Sequence, residues 1–307
     1  MDLRYAFRRA WRITWHYRGL WLFGLLASLS SRLRPAVGWA SPPPVLEQLL
    51  ERVATSSLSS LVAALLFLLS IAIGLGITFL NAVGKSALVD QIYRIEDSRR
   101  PSRAKSWEAG KAQARPVFLI ILLLGLPVFL IVLVGMVAML ITARLISPSL
   151  PVPVGDLPAV GASLACLAPA LCLGALLAVP LSVLRRLAVL ACVLEARSPW
   201  ESVTRGWEVL RDNLSPILGT WVTVLLVSLG VAVLVGTPCG ALVLALRTSQ
   251  WFTGEVSLGL ALGSMLFFWL AGLVINSVLE TFRTALWTLV YRQLMGMGRR
   301  GEEETSS

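Results

Sequence analysis

Five stretches of this chain contain no Asp, Glu, Lys or Arg: residues 53–84, 116–143, 157–184, 213–246 and 256–279. The shortest has 24 residues and the longest 34, whereas crossing ~30 Å of hydrocarbon takes about 20 residues of helix. A helix in water needs a polar face opposite its apolar stripe, and these stretches have none. A membrane β-barrel would need strands of about 10 residues with alternating polarity, and the stretches do not alternate. They predict an all-α integral membrane protein. Composition agrees, because 14% of the chain is charged against about 25% for a soluble domain. Mean hydropathy is +0.77.

Residues 19–31, GLWLFGLLASLSS, are uncharged for only 13 residues, about 20 Å of helix. Arg18 at the start can snorkel, and Trp15 and Tyr17 suit the headgroup level, so the helix can reach further than its uncharged part. Charge placement decides between five and six spans. With six, residues 1–18, 85–115, 185–212 and 280–307 share one side and hold 22 Lys and Arg, leaving 5 opposite. With five, the division is 17 against 10. Cytoplasmic loops are enriched in Lys and Arg, so six spans with both termini cytoplasmic is the preferred topology, in a bacterial inner membrane. A signal peptide is the competing reading of this region, and the long aromatic leader MDLRYAFRRAWRITWHYR speaks against it. The net charge of +10 is then a collar facing anionic headgroups, worth ~1 kcal/mol per basic residue near such a surface. It gives no reason to expect a nucleic-acid partner.

The chain also repeats itself. Trp11, Trp107 and Trp207 are each followed nine residues later by the start of an apolar run, at Leu20, Pro116 and Pro216. From the same tryptophans to the ends of QIYRIE (Glu96), ACVLE (Glu195) and LVYRQ (Gln293) the distances are 85, 88 and 86 residues. Residues 1–307 therefore read as one membrane domain of three parallel two-span repeats, 3–97, 99–196 and 198–294, each opened by a cytoplasmic interfacial amphipathic helix. A flexible acidic tail is expected at 299–307.

In the third repeat Ser198, Pro199 and Glu201 form a Ser-x-x-Glu helix start with Pro at the first helical position. Trp200, Val203, Trp207, Leu210 and Leu214 then share one face, and Glu201 and Arg205 are spaced to pair on the other. Pro216 is expected to turn the chain into the membrane. In the first repeat Leu3, Phe7, Ala10 and Trp11 are expected to face inward, with Arg4, Arg8 and Arg12 outward. In the second, Ala104 and Ala114 face inward around Trp107. The Trp faces suit either the lipid headgroup boundary or packing against the other repeats.

AWRITWHYRGLWLFGLL, RRLAVLACVLEARSPWESVTRGWEVLRDNLSPILG and FRTALWTLVYRQL resemble uncharacterised bacterial multi-pass proteins grouped with the membrane domain of glycerophosphoryl diester phosphodiesterases. In that family the membrane part is sometimes joined to a soluble catalytic barrel with metal-binding histidines and carboxylates. A barrel needs roughly 250 residues, the longest polar segment between apolar runs has 31, and the chain has one histidine. The resemblance therefore implies the membrane fold without the hydrolase.

Few residues suggest chemistry. Glu280 lies near the inner end of the last span, with Asn276 one turn before and Arg283 at i+3. Ionisable residues at membrane depth are costly and mark functional sites by default, so the three form a candidate ligand or proton site, against the plainer reading of a structural ion pair. Glu96 and Glu195 stand at equivalent repeat positions beside Arg94 and Arg197 and would tie repeats together or simply be solvated. His16 reads as an interfacial anchor, and Cys166, Cys172, Cys192 and Cys239 as small apolar residues. Pro127, Pro169, Pro180 and Pro238 read as packing kinks. Gly236–Gly240 and Gly259–Gly263 have the GxxxG spacing that lets helices approach. No metal or catalytic motif is present, and no cofactor is expected. The sequence points to a non-enzymatic protein that contacts anionic lipid through Arg4, Arg8, Arg12, Trp11, Trp107 and Trp207, with a membrane-protein partner or a second copy of itself as further company. The alternative is a small-solute permease with a path between the repeats lined by Asn81, Asn276 and Glu280.

Overall fold

A computed structural model describes residues 3–32, 59–97, 102–146, 157–248 and 255–296. The described residues form eight helices and no strand: α1 (Leu3–His16), α2 (Leu20–Arg32), α3 (Ser59–Glu96), α4 (Arg103–Ile146), α5 (Leu157–Glu195), α6 (Pro199–Asp212), α7 (Leu214–Thr248) and α8 (Glu255–Leu294). Five of them, α3, α4, α5, α7 and α8, are long and apolar enough to cross a membrane. The tail at 299–307 lies outside the described residues. The chain divides into two compact units, Met1–Arg115 with Ser215–Ser307, and Pro116–Leu214.

Helix length explains where the cores form. α3, α5 and α8 have 38, 39 and 40 residues, close to 60 Å each, about twice the hydrocarbon thickness. Part of each must project from the bilayer. Their C-terminal parts are the buried ones, with Leu88 and Ile92 of α3, Leu187 and Ala191 of α5, and Leu286, Trp287, Val290 and Tyr291 of α8 almost without exposure. Their other ends expose Leu65, Leu68, Leu75 and Leu80 of α3, Leu171, Leu173, Leu176 and Val179 of α5, and Leu266, Phe267, Leu270 and Val274 of α8. Wherever such a helix projects into water the solvent drives apolar burial, and in hydrocarbon only close packing and polar contacts hold helices together.

In the first unit α2 lies between α3 and α8. Gly24 meets Ser277 and Thr281 of α8 so closely that a Cβ has no room, and Gly84 of α3 would place a Cβ 2.7 Å from the backbone nitrogen of Ala27. Polar side chains bind α2 through its carbonyls. Ser277 Oγ donates to Trp21 and Asn81 Nδ2 to Ala27 at 2.8 Å, while the Thr281 hydroxyl donates at 2.8 Å to Ser277 of its own helix and lies 3.5 Å from the Leu20 carbonyl. α1 packs on α8, with the Phe7 and Trp11 rings 5.3 and 6.0 Å from that of Phe282. The start of α4 packs on α3, where Gly110 sits against Val83 and Ala87. In the second unit α6 lies on α5, with Gly206 against the backbone of Ala188.

Several expected details differ. The expected interfacial helix around Trp107 and the span after it form one helix, α4, which passes through Pro116, because a proline removes only one helical hydrogen bond and neighbouring groups can absorb the change. In the third segment the chain turns at Asn213, which caps α6 through Val209, and Pro216 falls inside the first turn of α7. The capping box of α6 is present, with Ser198 and Glu201 exchanging bonds of 3.4 and 3.3 Å. Glu201 does not pair with Arg205. Held by the box, it leaves Arg205 to Glu208 at 3.1 Å and Glu195 at 3.9 Å. Gly236 and Gly263 of the GxxxG pairs have open space around them. Cys192 is buried and Cys172 exposed.

Candidate functional site

The amphipathic helices bury a different edge from the one their hydrophobicity suggests. α1 buries Ala6, Ala10, Ile13 and Thr14, α6 buries Ser202, Gly206, Val209 and Leu210, and the start of α4 buries Ser106, Gly110 and Ala114. Ala104 is exposed. Small residues let these helices lie close on their neighbours. The large aromatic side chains are displaced to the flank. Trp11 is 50% exposed, Trp200 67% and Trp207 55%, while Trp107 is half-buried with Lys111 Nζ 5.8 Å from its ring centre. Thus Trp11, Trp200, Trp207 and Leu214 are not core residues, although Trp11 keeps its edge contact with Phe282. Arg4, Arg8 and Arg12 are exposed on α1 as expected.

Arg9, between the outward arginines, turns the other way. Its Nε donates to Glu96 Oε1 at 2.8 Å and ties α1 to the end of α3. That hydrogen bond, aided by the charge of Glu96 and opposed by partial burial, raises the Arg9 pKa further above its ordinary value. Arg94, the neighbour expected to serve Glu96, instead binds Asp90 at 2.7 Å. Glu195 holds Arg197 at 2.7 Å. α1 and α6 thus each have an arginine two residues before the Trp that reaches a glutamate at the end of a long helix, Arg9 to Glu96 and Arg205 to Glu195, whereas the start of α4 has Lys105 at that position.

A comparison with protein-family models, curated proteins and solved structures finds no match. The site therefore has to be read from its own geometry.

Glu280 and Arg283 do form the i,i+3 pair, at 3.5 Å. Arg283 also donates from Nε at 3.1 Å and Nη2 at 2.6 Å to Ser228 Oγ of α7. Asn276 is not brought into this group by a hydrogen bond of its own amide, which donates to Gly272 one turn back at 2.9 Å. Asn81 is buried and bonds α2. The sequence reading missed Ser228 and Arg9. A hydroxyl inside the uncharged run 213–246 was the available signal for Ser228. For Arg9 it was a basic residue off the Arg4, Arg8, Arg12 line.

Two clefts flank the start of α1. One, of about 340 Å³, is lined by Leu3, Arg4, Phe7, Arg8 and Thr223. The other, of about 370 Å³, is lined by Leu3, Ser215, Pro216 and Gly219. Both lie between α1 and the first turns of α7, with Leu3 common to the two.

Proposed function

We propose that this chain crosses a bacterial cytoplasmic membrane six times, in three parallel two-span repeats with both termini inside, and that it organises or handles anionic lipid at the inner face without being an enzyme. Kinship with the membrane domain of glycerophosphoryl diester phosphodiesterases, stripped of the hydrolase, belongs to the same proposal. The repeat is supported by burial in register. The residues just before the three tryptophans (Ala10, Ser106, Gly206) are all buried, as are those 13 places after them (Gly24, Ile120, Thr220) and 17 places after (Ser28, Leu124, Val224). The sixth span is supported by the position of α2, which lies between two long apolar helices and is bound by their polar side chains.

The observation that carries the lipid reading is the two-edged character of α1 and α6. One edge is built of small residues and packs on protein, while tryptophans stand exposed on the flank beside arginines. In water such an edge costs free energy. At a membrane boundary, Trp and basic residues are the favoured pair. The test is native mass spectrometry of protein released from discs of mixed phosphatidylglycerol and phosphatidylcholine. Enrichment of phosphatidylglycerol over its bulk fraction, reduced in the triple variant Arg4→Gln, Arg8→Gln, Arg12→Gln, supports the reading. Lipid retained only in bulk proportion removes it.

A further inference from the structure

We infer that the cleft between α1 and α7 is a site for one anionic phospholipid of the inner leaflet, with the phosphate on Arg4 and Arg8 and an acyl chain lying along α7. This rests on the lipid reading above and goes further, since it names one bound molecule where that reading needs only a charged collar.

The head of the site is set by α1. Arg4 and Arg8 are one turn apart, so their guanidinium groups project from the same face, and both line the cleft beside Leu3 and Phe7. Guanidinium groups meet phosphate oxygens with paired hydrogen bonds. The other wall comes from α7, where Thr223 lines it. One turn earlier Gly219, with Pro216, lines the adjoining cleft that shares Leu3, and nothing lies within 4 Å of where a Gly219 Cβ would stand. The Thr223 hydroxyl is folded back onto the Gly219 carbonyl at 2.8 Å, which leaves its methyl group for the wall.

Below the cleft the same face of α7 continues at helical spacing through Leu226 and Gly230. Leu226 is 62% exposed, and Gly230 again has nothing within 4 Å. Beside this face Val222 and Leu229 are exposed as well. A pair of arginines beside a cleft that continues into an exposed apolar helix face fits an amphiphile. A free phosphate or phosphorylated metabolite would use the arginines and gain nothing from the apolar face. At about 340 Å³ the arginine-lined cleft falls within the usual range of ~300–1,000 Å³ for small-molecule sites.

The experiment counts lipids on the protein as detergent is raised after release from the mixed discs. One phosphatidylglycerol should persist longest. Gly219→Leu fills the wall without altering charge and should remove that lipid while leaving the overall enrichment of phosphatidylglycerol. Arg8→Gln should weaken the retained lipid about fivefold, and Arg211→Gln on α6 should leave it unchanged. Arg8→Gln is a surface change, so it answers even if Gly219→Leu fails to fold. Overall enrichment without any one-to-one lipid, or a one-to-one lipid unmoved by both variants, overturns the site and leaves the general lipid reading standing. Absence of enrichment in the unaltered protein defeats both. Displacement of the lipid by millimolar inorganic phosphate would overturn the amphiphile assignment, because the arginines alone would then account for binding.

Discussion

Replacing Gly24 with alanine adds one methyl group at the crossing of α2 and α8, where the structure leaves no space for it. The methyl would fall on Thr281 Oγ1 and on the backbone carbonyl of Ser277. Thr281 Oγ1 can rotate away; the carbonyl belongs to a helix flanked by buried Leu273, Leu279 and Phe282 and cannot. The two helices must therefore separate, which strains the bond from Ser277 to Trp21. Overpacking costs about 1–3 kcal/mol, and each interhelical hydrogen bond in a membrane protein contributes about 0.6 kcal/mol. Alanine gives back about 1 kcal/mol of helix propensity. The net expectation is a loss of roughly 1–3 kcal/mol by these terms. Gly125→Ala in α4 is the matched control, because nothing lies within 4 Å of Gly125 and only the propensity gain applies. Reversible unfolding in mixed micelles on titration with a denaturing detergent would measure both. If Gly24→Ala proves as stable as Gly125→Ala, the close α2–α8 crossing is wrong.

Three other perturbations follow from the same geometry. A double-mutant cycle on Arg9→Gln and Glu96→Gln should return a coupling of about 0.5–1 kcal/mol at low salt, reduced in 1 M salt, because the Arg9 side chain is 35% exposed; a coupling of zero at low salt would show that the pair does not hold α1 to α3. Ser198→Ala should cost about 1 kcal/mol and speed hydrogen exchange at the Glu201 amide that the Ser198 hydroxyl now accepts from, whereas unchanged exchange there would refute the cap. Gly206→Leu should push α6 off α5, since even a Cβ would stand 3.0 Å from the Ala188 nitrogen, at a cost of about 2 kcal/mol, and proteolysis within residues 196–213 should accelerate; unaltered protease resistance would contradict the packing.

Spans were legible in the sequence because a charged residue cannot be hidden in hydrocarbon, so the uncharged runs map directly onto α3, α4, α5, α7 and α8. The capping of α6 was legible because Ser198, Pro199 and Glu201 act within one turn. The inward edge of each amphipathic helix was misjudged for a physical reason. Hydrophobicity marked Trp11 as inward and left the face of Trp207 open between lipid and protein, but the neighbouring surface is itself close-packed helix, which selects Ala10, Ser106 and Gly206 for size. Partner choice across helices was also hidden. Arg283 finds Glu280 at i+3, which spacing discloses, and Ser228 on another helix, which it does not. Arg9 reaches Glu96 across 87 residues for the same reason. The join at Pro116 was not legible either, since the expected interfacial helix around Trp107 and the span after it form one uninterrupted α4.

The central claim is that the exposed tryptophan edges of α1 and α6 face lipid at the membrane boundary. Fluorine NMR of 5-fluorotryptophan-labelled protein in discs, assigned by single Trp→Phe variants, tests it with a spin label carried at the lipid headgroup. Trp11, Trp200 and Trp207 should broaden strongly, while Trp287, 2% exposed in the core of α8, should not. If those three signals respond instead to a water-soluble relaxation agent and ignore the lipid-borne label, the helices do not lie at the boundary and the lipid reading falls with them.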